Sequence, residues 1–484
     1  MKAINKSIFS VAPIILLYLV LNLLSLNYCY FWDNIQQISK EAHWYFITDF
    51  KSLLMPTQNS GSEIVATGYH PPLMGIMTAM LWKVFGYHLW VSHIFSLFWF
   101  FILSWNLQKI TSRFFNEKSA LWVFTIILAE STLLTQFVIA SPDFILFTAF
   151  VVSLRAILER KNSLLAIGIF FLCAINMRGV FVGLTLFISH LYYINIQTET
   201  KSTTQFYIKT LTPYIPTLII LLAYYLYYLL SRGWFFSNPS YSEHYSLPNS
   251  LFRIVKHIAE FGLRSIENGR IIIWIVGIST AYLSFRKRTK LLPETRFLLM
   301  LFSLLTGIYI LFIFITQMPF SARYFMPQFF VLTILAMYGL CTHLKQQHLK
   351  YAFILIILFE LSGNLWIYPD KIAKSWDCTL AHLPYYELRK DCFEYLDTNK
   401  INYKDVSAGF CLYGNRQFIE LNNSGKIISS GADHKYFIYS NISNIEDKFA
   451  NELINKNLWT NIKAFKKGYV EIIIYKRVYQ QFKQ

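Results

Sequence analysis

Charge is what this sequence has least of. Asp, Glu, Lys and Arg make up 15% of its 484 residues, against roughly 25% in soluble domains, and that shortfall excludes an ordinary water-soluble fold. The signature loops for nucleotides are missing too. There is no GxxxxGK[ST] and no GxGxxG to cradle a nucleotide phosphate, and no GxSxG elbow to present a serine nucleophile. Cys and His do not occur at metal-ligand spacings, and Asp, Glu and His are too scattered to form a metal site from sequence. No cofactor and no metal ligand set is expected, with a divalent-ion requirement left open.

Cysteine is also sparse, at six residues. Cys29, Cys173 and Cys341 fall in or beside apolar runs, where a thiol behaves as a small hydrophobe. Cys378, Cys392 and Cys411 lie in a polar C-terminal region. If that region faces an oxidising compartment, Cys378 and Cys392 can pair, which leaves one odd thiol.

Apolar residues dominate instead, at 55% of the chain with a mean hydropathy of +0.39. Several runs approach the ~20 residues that a membrane-spanning helix needs. The expected class is therefore mainly α, a polytopic membrane helical bundle. The net charge of +17 does not indicate nucleic acid, because Lys and Arg sit in short clusters between apolar runs, as they do in cytoplasmic loops. The N-terminal stretch "MKAINKSIFSVAPIILLYLVLNLLSLNYC" has a basic start and no small-x-small cleavage site. It reads as an uncleaved first span.

The clear runs are Ile8–Leu26, His88–Leu107, Ala120–Ala140, Phe144–Leu158, Leu211–Leu230, Ile271–Phe285, Phe297–Thr316, Phe325–Cys341 and Tyr351–Tyr368. Two segments are ambiguous. Leu164–Ile194 is too long for one span and short for two, and Pro71–Phe85 follows a histidine and is apolar enough to cross. Placing the basic loops around Lys109, Arg155, Lys201, Arg286 and Lys345 on the cytoplasmic side resolves both. Pro71–Phe85 then lies flat, with Trp82 and Lys83 at headgroup depth, and Leu164–Ile194 becomes two short spans. The outcome is about eleven spans with the N-terminus inside. An external loop over residues 27–87 contains interfacial helices. A transmembrane domain covers 1–368, and a small extracytoplasmic α/β domain covers 369–484. The alternation in "KYFIYSNI" and "GYVEIIIYKRV" predicts strands there, and "YELRKDCFEYLDTN" and "NIEDKFANELINKN" predict helices.

Ionisable groups at membrane depth are costly and usually functional. Under this topology Asp33, Glu41, His70, Asp143, Arg178, Arg270 and Arg323 gather on the external side. In "YFWDNIQQISKEAHWYF", α-helical spacing would put Asp33, Gln37, Lys40, Glu41 and Trp44 on one face; an ordinary wet interfacial helix has the same pattern. Asp143 in "ASPDFILF" follows proline at a helix start, where a carboxylate caps N–H groups in any case. Arg178, Arg270 and Arg323 either snorkel to water or contact a lipid phosphate. His70 precedes two prolines that pin its backbone.

Taken in order, an Asp soon after the first span, "HPPL" ending the first loop, "SPD" before a span and "RYFMP" before a late span resemble the integral-membrane glycosyltransferases of the GT-C fold. The similarity is to the protein O-mannosyltransferase and aminoarabinose-transferase-like group, and it covers roughly Met1 to Tyr368. The resemblance implies transfer of a sugar from a polyprenyl-phosphate-linked donor to an extracytoplasmic acceptor, within a bacterial inner or plasma membrane. It implies Asp33 as catalytic base, Asp143 as a second acidic site residue, and Arg323, Tyr324 and Arg178 near the lipid phosphate. His70 takes the position before the paired prolines. Asn34 departs from the pattern, since many relatives carry Glu there, so Glu41 is a candidate for the missing carboxylate. A flippase of lipid-linked saccharides would show mid-span charges and inverted repeats, neither of which is visible. A noncatalytic membrane scaffold is the other alternative.

Overall fold

The computed structural model describes residues 2–56, 64–65, 70–197, 208, 210–233, 246–317, 319–367, 376–422, 424–431, 433–443, 447–454 and 458–478. The Lys201/Lys209 loop and the domain boundary near Pro369 lie outside the described residues. Six helices are long and apolar enough to cross a bilayer: Leu89–Phe114, Met177–Gln197, Thr212–Ser231, Pro293–Ile315, Ala322–His343 and Gln346–Leu365. Two more qualify as bent pairs, Glu117–Ala129 with Ser131–Val138 at 61° and Leu251–Ile266 with Ile271–Arg286 at 88°. The chain is an integral membrane protein. By this measure it has six to eight spans among the described residues, which leaves the sequence count of about eleven without support from length and apolarity alone.

The helical part begins with α1 (Lys2–Ser25), a short α2 (Glu41–Ile47) and α3 (Leu73–Phe85). At ~1.5 Å per residue α3 is about 20 Å long, short of the ~30 Å hydrocarbon core. It is followed by α4 (Leu89–Phe114), α5 (Glu117–Ala129), α6 (Ser131–Val138) and α7 (Pro142–Glu159). The bend between α5 and α6 is built by Glu130, whose Oε2 accepts from the Leu133 N–H at 2.6 Å and caps α6. The run Leu164–Ile194 divides at Asn176 into α8 (Asn162–Ile175) and α9 (Met177–Gln197). That turn needs Gly179, because a Cβ there would lie 1.7 Å from the Leu172 carbonyl oxygen. Then come α10 (Ile215–Arg232), α11 (Leu251–Ile266), α12 (Ile271–Arg286), α13 (Pro293–Ile315), α14 (Met326–His343) and α15 (Gln346–Ser362).

Burial separates these helices by role. Every described position of α6, and of α7 from Pro142 to Leu158, is buried, and most of α14 is as well. These form the centre, and helices such as α10 and α13 expose Leu and Ile outward as lipid-facing helices do. The amphipathicity of α11 is inverted: Leu251, Phe252, Val255 and Ile258 are exposed, while His257 and Arg264 are buried against the protein. A membrane on the outside accounts for that polarity, since apolar side chains facing lipid need no protein cover.

Beyond α15 the chain forms a mixed sheet covered by helix α16 (Pro384–Thr398). In chain order the strands are β1 (Val406–Ala408), β2 (Gly414–Asn415), β3 (Ile427–Ser430), β4 (Tyr436–Ser440), β5 (Trp459–Lys467) and β6 (Val470–Arg477). Their order across the sheet is β2-β3-β1-β4-β6-β5. The central β1 runs parallel to β3 and β4, and β4 pairs antiparallel with β6, with Ile438 opposite Ile474. All six cysteines are free. The Cys378–Cys392 pairing that the sequence left open is not formed: Cys378 sits in a tight turn against Ser321 Oγ at 3.5 Å, whereas Cys392 is buried on α16.

This C-terminal region rests on the loop after α1. The Tyr30 N–H donates to the Ile419 carbonyl at 3.1 Å, Tyr87 Oη donates to the Gln417 carbonyl at 3.2 Å, and Tyr28 stacks on Tyr386 at 3.9 Å. His382 is buried in the same joint, donating from Nδ1 to the Thr379 carbonyl at 2.7 Å and stacking on Phe31 at 4.6 Å. Burial pushes its imidazole down to about 4, opposed by the Thr379 and Trp376 carbonyls. A depressed histidine stays neutral in the folded chain while the unfolded chain is protonated, so its stability contribution is present above about pH 6.5 and is lost as pH falls toward about 4. The melting temperature of the purified protein is expected to drop between pH 7 and pH 5, and His382→Gln should flatten part of that drop. An identical slope in the variant would remove His382 from the account.

Candidate active site

The site forms where five distant segments meet at one end of the bundle. Ser141 Oγ accepts from the Asp143 N–H at 3.1 Å and Pro142 opens the helix, so α7 starts with Asp143 facing inward. Ala140 just before it has φ 54°, and Trp32 just before Asp33 has φ 56°. Left-handed backbone at a non-glycine residue costs ~1–2 kcal/mol, and here it precedes both carboxylates predicted from sequence. Asn34 ties the two turns together by donating from Nδ2 to the Ile139 carbonyl at 2.6 Å. The departure from the Asp-Glu pattern thus has a structural use, because a carboxylate at position 34 would have no hydrogen to donate.

Arg323 lies at the centre, in a short 3₁₀ turn over Ala322–Phe325. Nη2 pairs with Asp33 Oδ2 and Nη1 with Asp377 Oδ2. Nε stands 3.2 Å from Asp143 Oδ2 as an ion pair without hydrogen-bond alignment. Asp143 is shared: Arg178 Nη2 lies 2.8 Å from its Oδ1 and donates to Oδ2 at 3.2 Å. Tyr324 packs beneath both cations, its ring centroid 3.8 Å from the Arg178 guanidinium carbon and 5.4 Å from that of Arg323. The carboxylates differ in access. The Asp33 side chain is 32% exposed, those of Asp143 and Asp377 5% and 3%.

His70 joins this cluster at second hand. Its Nδ1 accepts from the Met177 N–H at 3.3 Å, one residue before Arg178, and Tyr224 Oη donates to its carbonyl at 3.0 Å. Burial, then the charges of Arg178 and Arg323, push its imidazole down to about 3. As the acceptor for the Met177 N–H it helps to fix the α9 start, one residue from Arg178. Glu41 is reached by a different backbone path from the one α-helical spacing implies. Residues Ile35–Lys40 form a π-helix, whose i→i+5 bonding inserts an extra residue per turn, so α-helical spacing does not carry from Asp33 to Glu41. The Glu41 side chain instead packs on Gly75 of α3, where a Cβ would come within 2.6 Å of it.

Asp377 was not predicted. It lies in "SWDC", after the last apolar run, and its carbonyl accepts from Gln136 Nε2 of α6 at 2.5 Å. Burial pushes its carboxyl up, as do Asp33 and Asp143, while Arg323 and Arg264 pull it down. The one sequence clue is an acid between Trp and Cys, two residues that favour burial. Arg270 is in the supporting structure rather than the cluster. It donates to Glu130 Oε1 at 2.9 Å and to the Ala322 carbonyl at 2.7 Å, and Arg264 donates to the Phe320 carbonyl at 3.1 Å. Together they hold the backbone that carries Arg323. Among the described residues no three His, Cys, Asp or Glu side chains gather as a metal-binding group.

Chemically, two guanidiniums stacked on a tyrosine face offer planar donors suited to phosphate, beside one accessible carboxylate. No family model matches the sequence, and no curated protein does. Among solved structures, the chain is similar to ArnT from Cupriavidus metallidurans bound to undecaprenyl phosphate, at 10% identity and a TM-score of 0.54, covering 96% of this chain and 98% of that one. It is likewise similar to the same protein in the apo state, at 10% identity and a TM-score of 0.55, covering 98% of each. The likeness extends through the C-terminal region, beyond the Met1–Tyr368 stretch in which the sequence motifs lie. The chain has the GT-C fold of the integral-membrane glycosyltransferases.

Proposed function

We propose that this protein is a membrane glycosyltransferase that moves a sugar from a polyprenyl-phosphate carrier to an acceptor hydroxyl on a protein, glycolipid or polysaccharide. The observation that carries the reading is the pairing of the partly exposed Asp33 with Arg323, next to Arg178 and Tyr324, at one end of a bundle of membrane helices. A carrier-linked sugar already has a good leaving group. What it needs is a base for the acceptor and cations for the departing phosphate.

In this reading Asp33 takes the acceptor proton. The acceptor oxygen attacks the anomeric carbon, the bond from that carbon to the phosphate oxygen breaks, and the polyprenyl phosphate leaves with the negative charge. A single displacement inverts the anomeric centre. Arg323 and Arg178 meet the phosphate, Tyr324 supports both, and Asp143 orients the two arginines. The site faces away from the basic loops, with the N-terminus on their side and the C-terminal domain (369–484) on the site's side; this follows the charge bias of cytoplasmic loops.

The test is lipid analysis. Cells lacking the chain should accumulate a carrier-linked sugar, detected by mass spectrometry of the extracted lipids, and re-expression should clear it. An unchanged lipid profile, with the acceptor pool also unchanged, would count against transfer.

A further inference from the structure

We propose that Asp377 is a positioning residue, supplied from beyond the last membrane helix, that pins Arg323 so that an incoming phosphate exchanges with Asp33 alone. The inference rests on the functional reading above and adds a rule for how the site opens.

Arg323 has three nitrogens, and each faces a different carboxylate: Nη2 faces Asp33, Nε Asp143 and Nη1 Asp377. Counting Arg178, three carboxylates face two guanidiniums, an excess of one negative charge when all are ionised. An anionic ligand cannot simply be added to such a site, so one carboxylate must give way. Access selects which. Asp33 is 32% exposed and its rivals are nearly inaccessible. The rivals are also held from a second side. Asp143 is gripped by Arg178 and by the helix cap at Ser141. Asp377 is anchored through its own carbonyl to Gln136, and the next residue, Cys378, lies against Ser321.

A sugar–phosphodiester carries one negative charge, as does Asp33. Exchange at Nη2 therefore leaves the charge facing Arg323 unchanged and needs no further rearrangement of the buried pairs. It also frees Asp33 Oδ2 from Arg323 at the moment a donor is present. The proton acceptor becomes available when there is a sugar to transfer, while Asp377 and Asp143 keep the guanidinium aimed.

The test uses the full-length protein in detergent and has two readouts. Without lipid, Arg323 modification by phenylglyoxal is followed by mass spectrometry of its peptide. Asp377→Asn is expected to speed it by about tenfold, the size of a lost charge-assisted hydrogen bond, and Asp377→Glu to restore slow modification. With undecaprenyl phosphate as probe, Asp377→Asn should weaken binding by a similar factor in a protein that remains folded, whereas Asp33→Asn should not weaken it. If Asp377→Asn does not fold, Gln136→Met loosens the same anchor and should shift both readouts in the same direction.

Modification and affinity within about twofold of the parent, or tighter binding in Asp377→Asn, would overturn the proposal and leave the glycosyltransferase reading standing. Failure of the parent to bind undecaprenyl phosphate, with Arg323 still unmasked in the variant, would sink the functional reading and retain Asp377 as the group that positions Arg323.

Discussion

Asp33→Asn is expected to slow sugar transfer by about 10²–10⁴-fold, the usual range for removing a general base, in a protein that remains folded. Its geometry makes the prediction specific. Asp33 is the accessible carboxylate of the three around Arg323, and Asn has the same shape with an oxygen that still accepts from Nη2. The substitution removes the charge and the ability to take a proton while leaving the turn after α1 in place. Transfer is measured as initial rate from a carrier-linked sugar in detergent, alongside the melting temperature. Parental rates in Asp33→Asn would end its role as base and move attention to Asp143, the other carboxylate predicted from sequence.

Arg323→Gln should have the second large effect, on stability as well as transfer. The guanidinium is the shared partner of Asp33, Asp143 and Asp377, the last two almost wholly buried. Stranding a buried charge by removing its partner costs ~3–5 kcal/mol, so a clear fall in melting temperature at pH 8 is expected. The pH dependence should also shift relative to the parent. Asp377 is already pushed up by burial, and losing Arg323 removes the main influence that lowers it. A carboxyl raised in the folded state binds its proton more tightly there than in the unfolded chain. Its contribution is therefore greatest at low pH and is lost as pH rises through the folded value. Arg323→Gln should regain stability on mild acidification relative to the parent, which loses it through His382 and His70. A variant whose melting temperature falls in parallel with the parent's from pH 8 to pH 5 would show that the three carboxylates do not share this cation.

Much of the helical layout was legible along the chain because a bilayer imposes long apolar runs on any helix that crosses it. Each run read as a span is helical over most of its described residues, although Ala120–Ala140 bends at Glu130 and the helical part of Tyr351–Tyr368 ends at Leu365. The break at Asn176 divides α8 from α9. The misreadings have local causes. α-Helical spacing placed Glu41 on the face of Asp33, and the π-helical turn between them broke that register. A polar stretch with three cysteines invited a disulfide, but Cys378 and Cys392 serve different packing surfaces. Asn34 looked like a missing carboxylate and is a strut to Ile139. Asp377 carried almost no signal, since an acid in a polar segment is normally wet, and only its burial against α6 makes it unusual.

The sequence by itself determined that this is a membrane protein, where most of its helices run, and which ordered motifs mark the candidate site. Those are properties of single segments, set by hydropathy, prolines and caps that act over a few residues. Only the tertiary structure decided that Asp33, Asp143 and Asp377 share one arginine, that Glu41 packs on Gly75 and that the C-terminal region rests on the first loop. A guanidinium has three nitrogens but no preference along the chain for which carboxylates fill them. That choice is made by helix packing across hundreds of residues, and charge pairing in a buried site follows it.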